Sequence, residues 1–168
     1  PYIKEYTDKN AFSEIKDHEY YQGKMDIWYF MTCKSLDHLN ENGVLCFIAQ
    51  NNWFTNAGAK KLRNKITKDA RILEINDFVN YMIFDSADQQ TMIMILDKNT
   101  IEEKYNFKFS KIIPNNFSKK DLDDLFELKD SSKVEVNNIA FNRNKMQDQS
   151  FNFNSKEDDI ILNKIEKL

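Results

Sequence analysis

Six consecutive apolar residues, Val44 to Ala49 in the stretch ENGVLCFIAQ, constrain this chain more than any other feature. A run with no polar member has no face to give to water, so it fits a strand buried on both sides, as in a parallel sheet. Asn42 and Gly43 stand just before it and suit the end of a helix. Upstream, MDIWYFMTCKSLDHL spaces Ile27, Phe30, Met31, Lys34, Leu36 and Leu39 mostly at three- and four-residue intervals. That spacing predicts a helix with these residues on or near one side. Downstream, NNWFTNAGA reads as loop. KKLRNKITKDA reads as a second helix, with Leu62 and Ile66 one turn apart among Lys60, Lys61, Arg63 and Lys65.

RILEINDF and QTMIMILDK follow as two more strands. The order helix, strand, helix, strand, strand specifies the α/β class: a doubly wound parallel sheet with right-handed crossovers. No helix separates the last two strands, only VNYMIFDSADQ, so those two should pair antiparallel. The glycines are Gly23, Gly43 and Gly58, and none sits in a Gly-rich turn of the kind that cradles a nucleotide. The ligand-binding half of such a sheet is therefore not expected within this chain.

From about Asn99 the texture changes, which divides the chain into residues 1–98 and an α+β extension over 99–168. KYNFKFSKI alternates Tyr105, Phe107 and Phe109 with polar residues and predicts a half-exposed strand. NNFSKKDLDDLFEL predicts a short helix capped by Ser118, and KVEVNNIAF a further strand. SKEDDIILNKIEKL opens with a capping-box pattern in Ser155 and Asp158 and stops in mid-helix.

Composition excludes several classes. The 168 residues carry 41% hydrophobic and 30% charged side chains with a net charge of -3. That is enough apolar material for a core, and it is not the basic excess of a dedicated nucleic-acid module. Cys33 and Cys46 form no CxxC pair, and the histidines are His18 and His38, so neither a disulfide framework nor a metal site is expected. No stretch reads as a membrane span or signal peptide, which points to the cytoplasm.

Taken in order, PYIKEY, GKMDIWYFMTCKSLDHLNENGVLCFIAQNNWFTN, KKLRNKI, ILEINDF and MIFDSADQQTMIMIL resemble adenine-N6-specific DNA methyltransferases of the large single-chain, type IIG-like restriction-modification family. The resemblance covers residues 1 to 98 and rests on the ordered set, since each piece alone is weak. It implies a partial Rossmann-like methyltransferase sheet ending in an antiparallel strand, leading toward a target-recognition region. It also makes Pro1 and Tyr2 the second half of the family's catalytic Asn-Pro-Pro-Tyr loop. The implied cofactor is S-adenosyl-L-methionine and the implied partner double-stranded DNA.

By the same resemblance Tyr2 and Phe84 stack on a flipped-out target adenine, while Phe30 and Asp26 border the cofactor. The loop and helix residues Asn52, Trp53, Lys60, Lys61 and Arg63 are candidate DNA contacts, against a competing reading of Trp53 as packing and of the basic run as a solvated helix face. With the Asn, the first Pro and the glycine-rich motif not in the chain, this part is expected to be inactive by itself. Its unpaired parallel edge is expected to favour self-association. Two alternatives stay open: a methyltransferase acting on RNA or on a protein glutamine, and a non-catalytic DNA-binding or assembly module built on a degenerate sheet.

Overall fold

A computed structural model describes residues 2–84, 89–99, 102–113 and 117–153. Pro1 and the helix expected after Ser155 lie outside the described residues.

Helix α1 (Ile27–His38) begins at Asp26, whose extended backbone and side-chain acceptor for the Trp28 N–H make it the N-cap. It buries Trp28, Tyr29, Thr32, Cys33 and Leu36. That face differs from the one expected: Met31 is 42% exposed, and Ile27 and Phe30 are half-buried. IWYFMTC is apolar almost all round, so its spacing supports more than one stripe, and the large rings of Trp28 and Tyr29 decide which turns inward. The chain then reverses through Asn42, at φ 62°, and Gly43. A Cβ on Gly43 would lie 2.7 Å from Leu39 Cγ and 2.8 Å from the Asn40 carbonyl.

Strand β1 (Val44–Gln50) is followed by short 3-10 turns over Asn51–Phe54 and Ala57–Ala59, helix α2 (Lys60–Asp69), and strands β2 (Arg71–Asp77) and β3 (Thr91–Asp97). Strand β4 (Lys104–Ile112), helix α3 (Leu122–Phe126), strand β5 (Val134–Asn142) and the single turn α4 (Arg143–Met146) complete the order. Among the described residues the strands form one sheet in the order β1-β3-β2-β4-β5. The β2–β3 pair is antiparallel, as the missing helix between them requires.

The expectation of a fully buried parallel strand at Val44–Ala49 is corrected. β1 stands at the end of the sheet and pairs antiparallel with β3. Leu45, Phe47 and Ala49 pack with Trp28, Cys33, Leu36, Leu62 and Ile66. Val44 is 57% exposed and Ile48 36%, with Cys46 also exposed. Apolar residues thus line both faces of β1, but the described residues cover only one.

β3 inserts between β1 and β2, and both are antiparallel to it, so β1 and β2 run the same way. Their carboxyl ends meet one sheet edge, since Gln50 pairs with Thr91 and Asp77 with Met92. β4 joins β2 in parallel, Asp77 opposite Lys111, and β5 closes antiparallel on β4. The strands after Asn99 therefore continue the same sheet. A second, smaller cluster of Phe78, Ile112, Leu125 and Val134 covers part of the opposite face. α3 sits there behind the expected cap: Ser118 and Asp121 form a reciprocal capping box.

Candidate active site at the carboxyl edge of the sheet

Open α/β sheets bind ligands beyond the carboxyl ends of their parallel strands, where loops can diverge. Here that edge is reached by the first residues, by the turn after β1 and by the loop after β2. The amino-terminal segment is sewn to the start of α1. Ile27 N–H donates to the Ile3 carbonyl at 2.9 Å, and Glu5 N–H to the Met25 carbonyl at 3.0 Å. Glu5 also accepts the Lys24 N–H at 2.7 Å and the Tyr21 hydroxyl. Lys4 and Asp26 form an antiparallel bridge.

That pairing fixes Tyr2. Its ring is half-buried, and its hydroxyl donates to the Ile48 carbonyl at 2.7 Å, near the end of β1. Burial, with the nearby Asp26 charge, holds the phenol above its ordinary pKa. Asp26 is 3% exposed, and its Oδ2 has no hydrogen-bond partner. Burial pushes this carboxyl up to about 6, against the partial help of the Trp28 N–H. A buried acceptor without a donor is costly unless something else supplies one.

Tyr29 reaches out of α1 to donate its hydroxyl to Asn52 Oδ1 at 3.2 Å, linking the helix to the turn after β1. Phe30 lies beside the same helix start with its ring edge-on to His18, centroids 4.9 Å apart. Beyond β2, Tyr81 and Ile83 pack on the smaller cluster while Met82 and Phe84 turn outward, 40% and 42% exposed. The structure therefore pairs Tyr29 directly with Asn52, ties Tyr2 to Ile48, and brings the Asp26 charge near Tyr2. It sets Phe84 in the loop that leaves the same edge.

The model of the Eco57I restriction-modification methylase family matches residues 1–84, half of the 168-residue chain. The chain belongs to the Eco57I restriction-modification methylase family. No curated protein sequence matches it. Its fold is similar to a structure concerned with complex assembly and conformational transition of a type I restriction-modification system, with a TM-score of 0.59 at 8% identity. It is also similar to the type IIG restriction endonuclease BpuSI, TM-score 0.56 at 13% identity. A third is the type I methyltransferase subunit from Streptococcus thermophilus, TM-score 0.50 at 15% identity. The chain is covered to 87%, 86% and 74% in these, and spans 37%, 18% and 30% of the respective proteins. At such identities the likeness shows a shared fold and no more.

Two expected DNA contacts of this Eco57I-family chain do not face solvent. Trp53 is fully buried, 5.0 Å from the Phe54 ring and 5.5 Å from Phe151. Arg63 is 3% exposed. Its guanidinium donates to the carbonyls of Trp53 and Asn56 at 2.7 Å and of Gln149 at 2.8 Å. Both residues hold the loop and α2 together and are buried among the described residues. Lys60 pairs with Asp148 at 3.1 Å and Lys61 with the Glu19 carbonyl at 2.5 Å, both at the surface.

Sequence reasoning missed two members of this edge in the Eco57I-family chain, Asn51 and Asp77. Asn51 Nδ2 donates to Asp77 Oδ1 at 2.9 Å, tying the turn after β1 to the end of β2. The available signal was their position, Asp77 closing β2 and Asn51 directly following β1. A hollow of about 220 Å³ lies elsewhere, between Lys104–Asn106 and Ala140–Asn142 at the amino end of β4. Among the described residues no His, Cys, Asp or Glu cluster suits a metal ion, and no helix is long and apolar enough to cross a membrane.

Proposed function

We propose that this chain forms part of a site-specific DNA methyltransferase that transfers a methyl group from S-adenosyl-L-methionine to N6 of a flipped-out adenine in double-stranded DNA, within a restriction-modification system. The observation that carries the reading is Tyr2, anchored by its hydroxyl to the carboxyl end of β1 and flanked by the unmet acceptor of Asp26.

An adenine amine is a weak nucleophile because its lone pair is shared with the ring. Two things help it: acceptors for its hydrogens as the bond forms, and a rigid hold on the base. The Tyr2 ring is proposed to supply the hold by stacking on the planar base, its hydroxyl being already bound to the Ile48 carbonyl. Pro1, which the resemblance makes part of the catalytic loop beside Tyr2, lies outside the described residues. Phe84 borders the base from the loop after β2.

The residues present fit the cofactor that the family implies. Asp26 Oδ2 is an acceptor in want of a donor, and a ribose hydroxyl or an adenine amine would provide one. Phe30, one helical turn after Asp26, is proposed to offer an apolar ring to the same cofactor. When bound, S-adenosyl-L-methionine supplies an electrophilic methyl group. Asn52 is the contact proposed for DNA in the turn after β1. Lys60 and Lys61 would add phosphate contacts by exchanging their present surface partners, at small cost.

The test is methyl transfer from labelled S-adenosyl-L-methionine to duplex DNA by the full-length protein, with 2-aminopurine at the target position in a parallel binding assay. Label on adenine N6 with a fluorescence rise on binding is expected, and Tyr2→Ala should weaken both. DNA binding without any transfer would overturn the reading in favour of a non-catalytic module. Transfer to RNA or to a glutamine side chain, and none to DNA, would overturn the substrate.

A further inference from the structure

Asp77 ends β2 and has no part in the reading above. Its Oδ1 accepts two hydrogen bonds at 2.9 Å, one from Asn51 Nδ2 and one from the Val79 backbone N–H. Asn51 in turn donates its own N–H to the Gln90 carbonyl at 3.2 Å, so the turn after β1 is tied to both ends of the β2–β3 connection. Lys111 stands opposite Asp77 across the β2–β4 pairing and is the cation facing it.

Val79 has φ 52°. A β-branched residue in the left-handed region is a genuine outlier and is strained. Such a conformation persists where its surroundings impose it, and the imposed contact here is the Val79 N–H on Asp77. The backbone direction at Val79 decides where the chain goes next. Tyr81 N–H closes on the Phe78 carbonyl at 2.8 Å, Tyr81 and Ile83 dock on the smaller cluster, and Met82 and Phe84 are left outward.

We infer that Asp77 is a positioning residue. Its carboxylate clamps Val79 in the left-handed conformation, locks it to Asn51, and thereby aims the 80–84 segment, with Phe84, over the sheet edge that carries Tyr2. The functional value of that aim rests on the proposed role of Phe84 at the target base; the clamp itself does not.

The experiment separates the two. Trp28 and Trp53 are 1% and 0% exposed, so a Phe84→Trp reporter in the full chain dominates acrylamide quenching. Asp77→Ala in that background is expected to raise the quenching constant about two-fold through loosening of the loop. Asp77→Asn retains an acceptor oxygen and should restore the parent value, as should adding Val79→Gly, which removes the strain that the clamp opposes. Should Asp77→Ala not fold, the Asp77→Ala/Val79→Gly pair is compared with Val79→Gly alone, and near-equal quenching is the expected result. Quenching unchanged by Asp77→Ala, or a rise that neither Asn nor Val79→Gly reverses, would overturn the clamp.

In the full-length protein, Asp77→Ala should lower kcat for methyl transfer about ten-fold with KM for the cofactor unchanged. A normal kcat beside a loosened loop would overturn the link to the base while leaving the clamp standing. Absence of transfer in the parent itself bears on the proposed function alone.

Discussion

The Tyr2 hydroxyl and the Ile48 carbonyl are joined by a 2.7 Å hydrogen bond across 46 positions of sequence. The bond fixes the half-buried Tyr2 ring relative to β1 through its hydroxyl, not through its face. Tyr2→Phe keeps the face and loses the bond, which should lower stability by about 1 kcal/mol and reduce methyl transfer only a few-fold. Tyr2→Ala removes the stacking surface, worth about 1–3 kcal/mol per base, and should cost roughly 10- to 100-fold in kcat/KM. Urea midpoints and single-turnover rates for both variants check the separation. Equal losses in the two would mean that the hydroxyl, not the ring, is what matters.

Asp26 is predicted to oppose stability at neutral pH. Its carboxyl sits near 6 in the folded chain against a usual 3.8, so the folded state holds the proton more tightly than the unfolded state does. The favourable contribution is complete below about pH 3.8 and is lost as pH rises through about 6. Asp26→Asn keeps an N-capping side chain and removes the ionisation. It should melt higher than the parent at pH 7.5, by up to roughly 2–3 kcal/mol, and the gap should close toward pH 4. Affinity for S-adenosyl-L-methionine should move the other way, falling in Asp26→Asn. Thermal melts across pH with matched calorimetric titrations read both.

Arg63 tests whether the basic helix serves DNA or the fold. Three carbonyls from three separate places, Trp53, Asn56 and Gln149, converge on its guanidinium. A lysine cannot span them, so Arg63→Lys should destabilise by about 2–4 kcal/mol as acceptors are left unmet. At a temperature where the variant is fully folded, its DNA affinity and the salt dependence of that affinity should match the parent's. A shallower salt slope in a folded Arg63→Lys would place the residue in the phosphate-contacting set.

Much of the fold could be read from local pattern, and the failures have identifiable physics. The order of the five elements through β3, the antiparallel β2–β3 pair and the Ser118 cap follow from spacing, loop length and capping chemistry, which act within a few residues. The burial of β1 was misread because a run of apolar residues reports what a strand can tolerate, not what covers it. Val44 and Ile48 are as apolar as Leu45 and Phe47, yet only the latter meet α1 and α2. The parallel docking of β4 on β2 joins residues 34 positions apart, beyond any local signal. At the site, the ordered resemblance is what proposes Tyr2, Asp26 and Phe84, and their roles stand as proposals. Asp77 was not legible, because its importance lies in one oxygen shared by Asn51 and Val79.

Gly58 carries the last prediction, because the site depends on how closely the turn before α2 approaches the segment before α1. A Cβ built on Gly58 would lie 2.1 Å from the Lys24 carbonyl oxygen and 3.1 Å from Met25 Cα. These are backbone atoms, and they belong to the strand-like stretch that pairs with Ile3 and Glu5 and ends in Asp26. No side-chain rotation relieves the overlap, so either the turn or the 24–26 stretch must move. Gly58→Ala should therefore cost about 2–4 kcal/mol, more than its small volume suggests. The displacement should also reach Tyr2 through the Ile27–Ile3 hydrogen bond. Amide exchange in Gly58→Ala is expected to speed up at Glu5 and Ile27 while β2 and β3 stay protected. Uniform loss of protection across the sheet would show instead that the turn supports the whole fold and not the site alone.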